Sequence, residues 1–170
     1  MKKQKLTTII AFNGILAALY VAVTLATASF AYGPIQFRIA EALSVFCCFE
    51  PALVPGIVLG CLISNFFSTV SVLDIFVGTA ATVIASLLMT RCKKVWLMPI
   101  PNVAANGVLV GAMLAGVGTY AKEAFWPAFW IYCGEVALGE LAVMLVLGVP
   151  LFLWLKNGKI MQRFFPQKPN

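Results

Sequence analysis

The first apolar segment begins at Leu6 and reads LTTIIAFNGILAALYVAVTLATA as far as Ala28. A helix that crosses a bilayer needs roughly 20 such residues. No charged residue occurs between Lys5 and Arg38, so the segment predicts a transmembrane helix near 6–28. Because this apolar run continues well past the core of a signal peptide, we expect the helix to be retained.

The rest of the chain has the same character. Hydrophobic residues make up 62% of the 170 residues, and the mean hydropathy is +0.97. Glu50-Pro51 predicts a tight corner, because the residue before a proline avoids helical geometry. We therefore expect an all-α membrane protein, a single bundle of six transmembrane helices over residues 1–170. The last five helices are expected near 36–50, 52–68, 73–91, 101–121 and 127–155.

The basic residues orient the predicted bundle. All of the 12 lysines and arginines except Arg38 and Lys122 lie before the first helix, after the fourth or after the sixth. The positive-inside rule then places both termini in the cytoplasm and the protein in the plasma membrane. The net charge of +6 reflects this topology, and no nucleic-acid partner is expected.

The sequence contains none of the common signals for catalysis. It has no histidine and no HExxH, GxSxG or Walker A pattern, and its five cysteines show no metal-ligand spacing. We therefore expect no enzyme, no catalytic residue, no metal and no cofactor. If transport uses ATP, another subunit must hydrolyse it.

Four of the six acidic residues lie within or beside apolar segments, and we consider each a candidate ligand site. They are Glu41, Asp74, Glu135 and Glu140. Carboxylates are costly in hydrocarbon and are rarely kept there without a partner. Glu140 lies deeper than Glu135 and is the stronger candidate. The acidic excess in the outer half favours a ligand from outside that is cationic or rich in hydrogen-bond donors.

Several of these residues also have structural interpretations. Arg38 and Glu41 share a helix face, so they either form an ion pair that stabilises the helix start or bind ligand. Asp74 opens the fourth helix, where its position slightly favours helix capping over ligand binding. Asn65 closes the third helix. Asn106 either reaches a central ligand or bonds a neighbouring helix.

Aromatic side chains accompany the outer loops. Trp130 belongs either to an interfacial belt or to a stacking surface for a planar ligand, and the same alternatives hold for Tyr32 and Phe37. Lys122-Glu123 is expected to be a solvated loop pair.

Small residues recur every fourth position on the first helix, at Gly14, Ala18, Ala22 and Ala26. Such a stripe allows close helix packing, here either inside the bundle or against a partner protein. Shorter stripes on the third and fifth helices favour packing within the bundle. They comprise Gly56, Gly60 and Ser64, and Gly107, Gly111 and Ala115.

Several motifs carry a family resemblance. They are GPIQFRIAEAL at 33–43, LISN at 62–65, DIFVGTAAT at 74–82, NVAAN at 102–106, LGEL at 138–141 and the Ala18-x-x-x-Ala22 motif. With them the chain resembles the substrate-binding (S) components of energy-coupling factor (ECF) vitamin transporters. Within that group it is most similar to the QueT family of queuosine-precursor transporters.

The resemblance implies a membrane-embedded binding protein for a 7-deazaguanine such as pre-queuosine-1 (7-aminomethyl-7-deazaguanine). It implies as partners the transmembrane coupling protein EcfT, against which the Ala18 and Ala22 face would lie, and two ABC-type ATPases. A carboxylate suits the paired N–H donors of such a ring. We assign this edge to Glu140, and Glu41 or Asp74 to the ammonium group. The alternatives are an S component for another cationic vitamin, such as thiamine, and a stand-alone proton-coupled transporter.

Overall fold

The computed structural model describes residues 3–31, 36–92, 94–117 and 124–165, of which the side chains of 3–5 are not described. The described backbone is helical, with no β-strand. Two predictions, for the Tyr32 ring and for the pair Lys122-Glu123, fall outside these residues. The α-helices are α1 (Lys3–Ala26), α2 (Ala28–Ala31), α3 (Val54–Asn65), α4 (Leu73–Met89), α5 (Pro99–Val117), α6 (Phe125–Val143), α7 (Val149–Asn157) and α8 (Ile160–Phe164).

Two of the predicted helices contain 3₁₀ segments where an α-helix was expected. Ile39–Cys48 is a 3₁₀ helix, an unusually long run of this tighter form. Pro51–Leu53 is also 3₁₀ and leads directly into α3. Glu50 is extended, and its side chain accepts a hydrogen bond from the Ala52 amide, so the expected corner is present.

The last long segment is continuous but irregular. A π-helical turn, Met144–Gly148, joins α6 to α7. Pro150 lies in the first turn of α7. Because proline has no amide hydrogen and its ring crowds the preceding turn, a wider turn before it removes the conflict.

Within the described residues, three helical segments are long and apolar enough to cross a membrane: Leu6–Ala26, Val95–Val117 and Phe125–Asn157. Three shorter apolar helices lie between the first and the second of these segments, at Ile39–Cys48, Pro51–Asn65 and Leu73–Met89. The protein is therefore an all-helical membrane protein that combines long and short apolar helices.

Glycines set the closest helix contacts. A β-carbon on Gly60 of α3 would lie 2.6 Å from Tyr20 Cβ on α1, and one on Gly111 of α5 would lie 2.8 Å from Cys133 Cα on α6. Both distances are too short for a side chain, so these positions require glycine as long as the helices keep their separation. The prediction that the stripes on the third and fifth helices pack within the bundle is confirmed.

The apolar core has two parts. One joins α1, the 3₁₀ helix, α3 and α7 through residues such as Leu16, Val45 and Ile57. The other joins α4, α5 and α6 through residues such as Ala81 and Val110. The buried polar residues come from helices of both parts.

Candidate functional site

A buried ion pair links the start of the 3₁₀ helix to the start of α4. Arg38 Nη2 donates to Asp74 Oδ1 at 2.8 Å, and the two side chains are 4% and 0% exposed. Ser68 Oγ donates to the other oxygen, Asp74 Oδ2, at 2.8 Å. Both carboxylate oxygens of Asp74 therefore have a partner.

These contacts correct one expectation. Arg38 pairs with Asp74, 36 residues away, and the ion pair considered between Arg38 and Glu41 is not the one that forms. A tertiary neighbour thus outweighs the local arrangement along the helix. Asp74 lies in the first turn of α4, where the helix N-terminus stabilises a negative charge, and it forms the ion pair from that position.

The Glu41 carboxylate, fully buried, is held by donors from three helices. Tyr20 of α1 and Thr82 of α4 each donate a hydroxyl hydrogen to Oε1 at 2.7 Å. Asn102 of α5 donates to Oε2 at 3.3 Å. None of these three donors is a cation.

Asn65 and Gly78 complete the surroundings of the ion pair. Asn65 Nδ2 donates to the Asp74 carbonyl at 3.0 Å and to Thr79 Oγ1 at 3.3 Å. A β-carbon on Gly78 would lie 2.6 Å from Asp74 Oδ1, 3.0 Å from Asn65 Nδ2 and 3.1 Å from Arg38 Nη1. The absence of a side chain at Gly78 therefore gives these three polar groups their space.

A second set of buried polar residues, which we call the open polar set, comprises Gln36, Arg38, Asn106 and Glu140. Each is buried and carries polar atoms that have no hydrogen-bond partner in the described part of the chain. The atoms are both amide-group atoms of Gln36 and Asn106, Nε and Nη1 of Arg38, and both carboxylate oxygens of Glu140. Glu140 interacts electrostatically with Glu41 and Arg38, so these three side chains lie near one another.

The open polar set is unusual for a protein interior. A buried polar group without a partner costs about 1–3 kcal/mol, and more when it is charged, so native proteins keep few of them. The set offers donors from Arg38, acceptors from Glu140 and both kinds from the two amides. That combination matches the edge of a polar heterocycle. In the described residues no group of three or more His, Cys, Asp or Glu side chains is placed to hold a metal ion.

The other predicted residues lie elsewhere. Trp130 is 67% exposed on the surface of α6, where its ring packs edge-on against Phe129. Glu135 is half-buried, and its Oε2 has no partner in the described part of the chain. The stripe on α1 is exposed along its whole length, at Gly14, Ala18, Ala22 and Ala26.

The three donors to the Glu41 carboxylate were not predicted from the sequence as site residues. Tyr20 is hidden in an apolar run, and Thr82 carries no charge that would single it out. Asn102 had a usable signal, because it lies four residues before Asn106 and therefore on the same face of α5. Both asparagines are fully buried.

Long apolar helices around a buried cluster of polar side chains define a helical membrane protein. A family model described as "QueT transporter" matches residues 10–157, and the chain belongs to the QueT transporter family. It is a transporter, not an enzyme, and a multi-pass protein of the plasma membrane. The family resemblance seen in the motifs is thereby confirmed.

One curated relative is similar over most of the chain. It is 33% identical over 162 residues, which cover 86% of this chain and 90% of the relative. That protein is named "Queuosine precursor transporter QueT" and comes from Lactococcus lactis subsp. cremoris (strain MG1363). No solved structure matches this chain.

Proposed function

We propose that this protein is the substrate-binding S component of an ECF-type importer and that it captures a queuosine precursor from outside the cell. The open polar set is the observation that carries the proposal. It suits a 7-deazaguanine such as pre-queuosine-1, in agreement with the name of the Lactococcus relative. EcfT and two ABC-type ATPases would then drive uptake.

The ring of a 7-deazaguanine complements the open polar set. Its N1–H and 2-amino group lie side by side, and the two oxygens of Glu140 would accept both hydrogens. Its keto oxygen would accept from Nε or Nη1 of Arg38. Gln36 and Asn106 each offer a donor and an acceptor for the remaining ring atoms.

We also propose six membrane crossings with both termini in the cytoplasm. Three long and three shorter apolar helices supply the six segments. The distribution of lysine and arginine along the sequence supports this orientation. In this arrangement the open polar set is reached from the outer side, because Gln36 and Arg38 follow the first outer loop.

For the partner contact we propose the exposed stripe on α1. Gly14, Ala18, Ala22 and Ala26 project away from the bundle, whereas Leu16, Ala17 and Tyr20 of the same helix are buried. A flat apolar surface of small residues allows another helix to approach closely. This is the surface that EcfT would cover.

Calorimetric titration of the purified protein in detergent tests the ligand assignment. We expect tight binding of pre-queuosine-1 and weak binding of guanine and thiamine. Glu140→Gln should weaken binding by about 100-fold, because it replaces two charge-assisted acceptors, each worth about 1.5–3 kcal/mol, by a neutral amide.

Glu50→Gln is the matched control. Glu50 lies at the corner before α3, and the amide oxygen of glutamine still accepts from Ala52, so binding should be unchanged. Equal affinities of the Glu140 and Glu50 variants would remove Glu140 from the site. Tight thiamine binding would assign another vitamin to the same architecture. Uptake into liposomes without ATPases would instead indicate a stand-alone, proton-coupled transporter.

A further inference from the structure

The charges of the buried side chains do not balance. In the described part of the chain they comprise one cation, Arg38, and three acids: Glu41, Asp74 and Glu140. Arg38 and Asp74 compensate each other directly at 2.8 Å. Glu41 and Glu140 have no cationic partner of their own in the described part of the chain.

The two uncompensated acids differ in their hydrogen bonds. Both oxygens of Glu140 are without a partner in the described residues, so both are open to the paired donors of a ring edge. Glu41 is already fixed in place, since Oε1 accepts from Tyr20 and Thr82 at 2.7 Å. Oε2 accepts a longer hydrogen bond, from Asn102 Nδ2 at 3.3 Å. It can therefore accept a further hydrogen bond from a ligand more readily than Oε1 can.

We propose that Glu41 is the specificity-determining residue for the substituent on the ligand, and that it selects a positively charged aminomethyl group over neutral substituents. This inference rests on the proposed function and decides between Glu41 and Asp74 for the ammonium group. Asp74 is unsuitable, because its charge is already compensated by Arg38. Glu41 instead presents a fixed, uncompensated carboxylate near Glu140 of the open polar set.

The selectivity has a simple physical origin. A hydrogen bond between two charged groups is roughly twice as strong as one between neutral groups. A buried carboxylate that gains a cation also recovers part of its desolvation cost. A neutral substituent of the same size supplies neither contribution.

The test compares three ligands that share the ring: the 7-aminomethyl, 7-hydroxymethyl and 7-cyano forms of 7-deazaguanine. We expect the wild-type protein to bind the aminomethyl form at least about tenfold more tightly than the two neutral forms. Glu41→Gln should abolish this preference, because the loss of affinity falls mainly on the aminomethyl form. Glu50→Gln should change neither quantity.

Two further results make the test decisive. Glu41→Asp keeps the charge and should keep a preference for the aminomethyl form, which covers the case in which Glu41→Gln does not fold. A wild-type protein that binds the three ligands equally, or a Glu41→Gln variant that keeps the preference, would overturn the inference while leaving the proposed function intact. Failure of the wild-type protein to bind any of the three would instead reject the proposed function.

Discussion

Substituting Gly78 by alanine tests how tightly the polar cluster is packed. The added methyl group would lie 2.6 Å from Asp74 Oδ1, so the carboxylate would have to move. It cannot move freely, because Arg38 and Ser68 both donate to it at 2.8 Å. Each charge-assisted hydrogen bond is worth about 1.5–3 kcal/mol, so losing both would cost about 3–6 kcal/mol. Since the partners can partly relax, we expect Gly78→Ala to lower the free energy of unfolding by about 3 kcal/mol.

The assay is denaturant unfolding of the purified protein in detergent, followed by tryptophan fluorescence. Gly14→Ala is the matched control, because nothing lies within 4 Å of a β-carbon at that exposed position of α1. Replacing a helical glycine by alanine there should stabilise the protein by about 0.5–1 kcal/mol. The reasoning is refuted if Gly78→Ala is as stable as the wild-type protein.

A double variant separates the steric cause from a general packing defect. Asp74→Ala removes the oxygen that the new methyl group would strike. Adding Gly78→Ala to that variant should therefore cost much less than it costs alone, a coupling of the kind seen between residues in contact. Additive effects of the two substitutions would show that the methyl group acts elsewhere.

Two further predictions concern positions where helices pack against one another. Ala22→Leu should abolish co-purification with the coupling protein and leave ligand binding intact, whereas Ala104→Leu, at an exposed alanine of α5, should affect neither. Lost ligand binding with retained assembly would contradict the assignment. Gly111→Ala should destabilise the protein by about 1–3 kcal/mol, because its methyl group would meet the Cys133 backbone at 2.8 Å. Gly107→Ala should cost less, since its nearest contact is 3.2 Å away; the two unfolding curves decide.

The helical character of the chain could be predicted because it depends on local properties. Hydropathy and charge locate the apolar segments, and Glu50-Pro51 marks the corner through backbone sterics alone. The 3₁₀ form of Ile39–Cys48 could not be predicted, because its apolar pattern is equally compatible with an α-helix. The π-helical turn is intermediate: Pro150 signals an irregularity but not which form it takes.

The contacts of Arg38 show why the site was harder to predict. Its spacing from Glu41 places both on one face of a regular helix, and this favoured a local pair. The observed partner, Asp74, is contributed by the start of α4. Its position depends on how α3 and α4 pack, which includes the absence of a side chain at Gly78. No window of sequence around Arg38 contains that information.

The acids illustrate the same limit at the level of function. In the sequence, Glu41, Asp74 and Glu140 are alike, three carboxylates in apolar surroundings. In the structure Asp74 is compensated by a cation, Glu41 is fixed by neutral donors, and Glu140 has no hydrogen-bond partner in the described residues. Different environments give chemically identical groups different roles. In the proposed site the compensated acid stabilises the fold, the fixed but uncompensated acid attracts the cationic substituent, and Glu140 accepts hydrogen bonds from the ring. The division of labour proposed for this site therefore follows from the partners of each carboxylate and not from its identity.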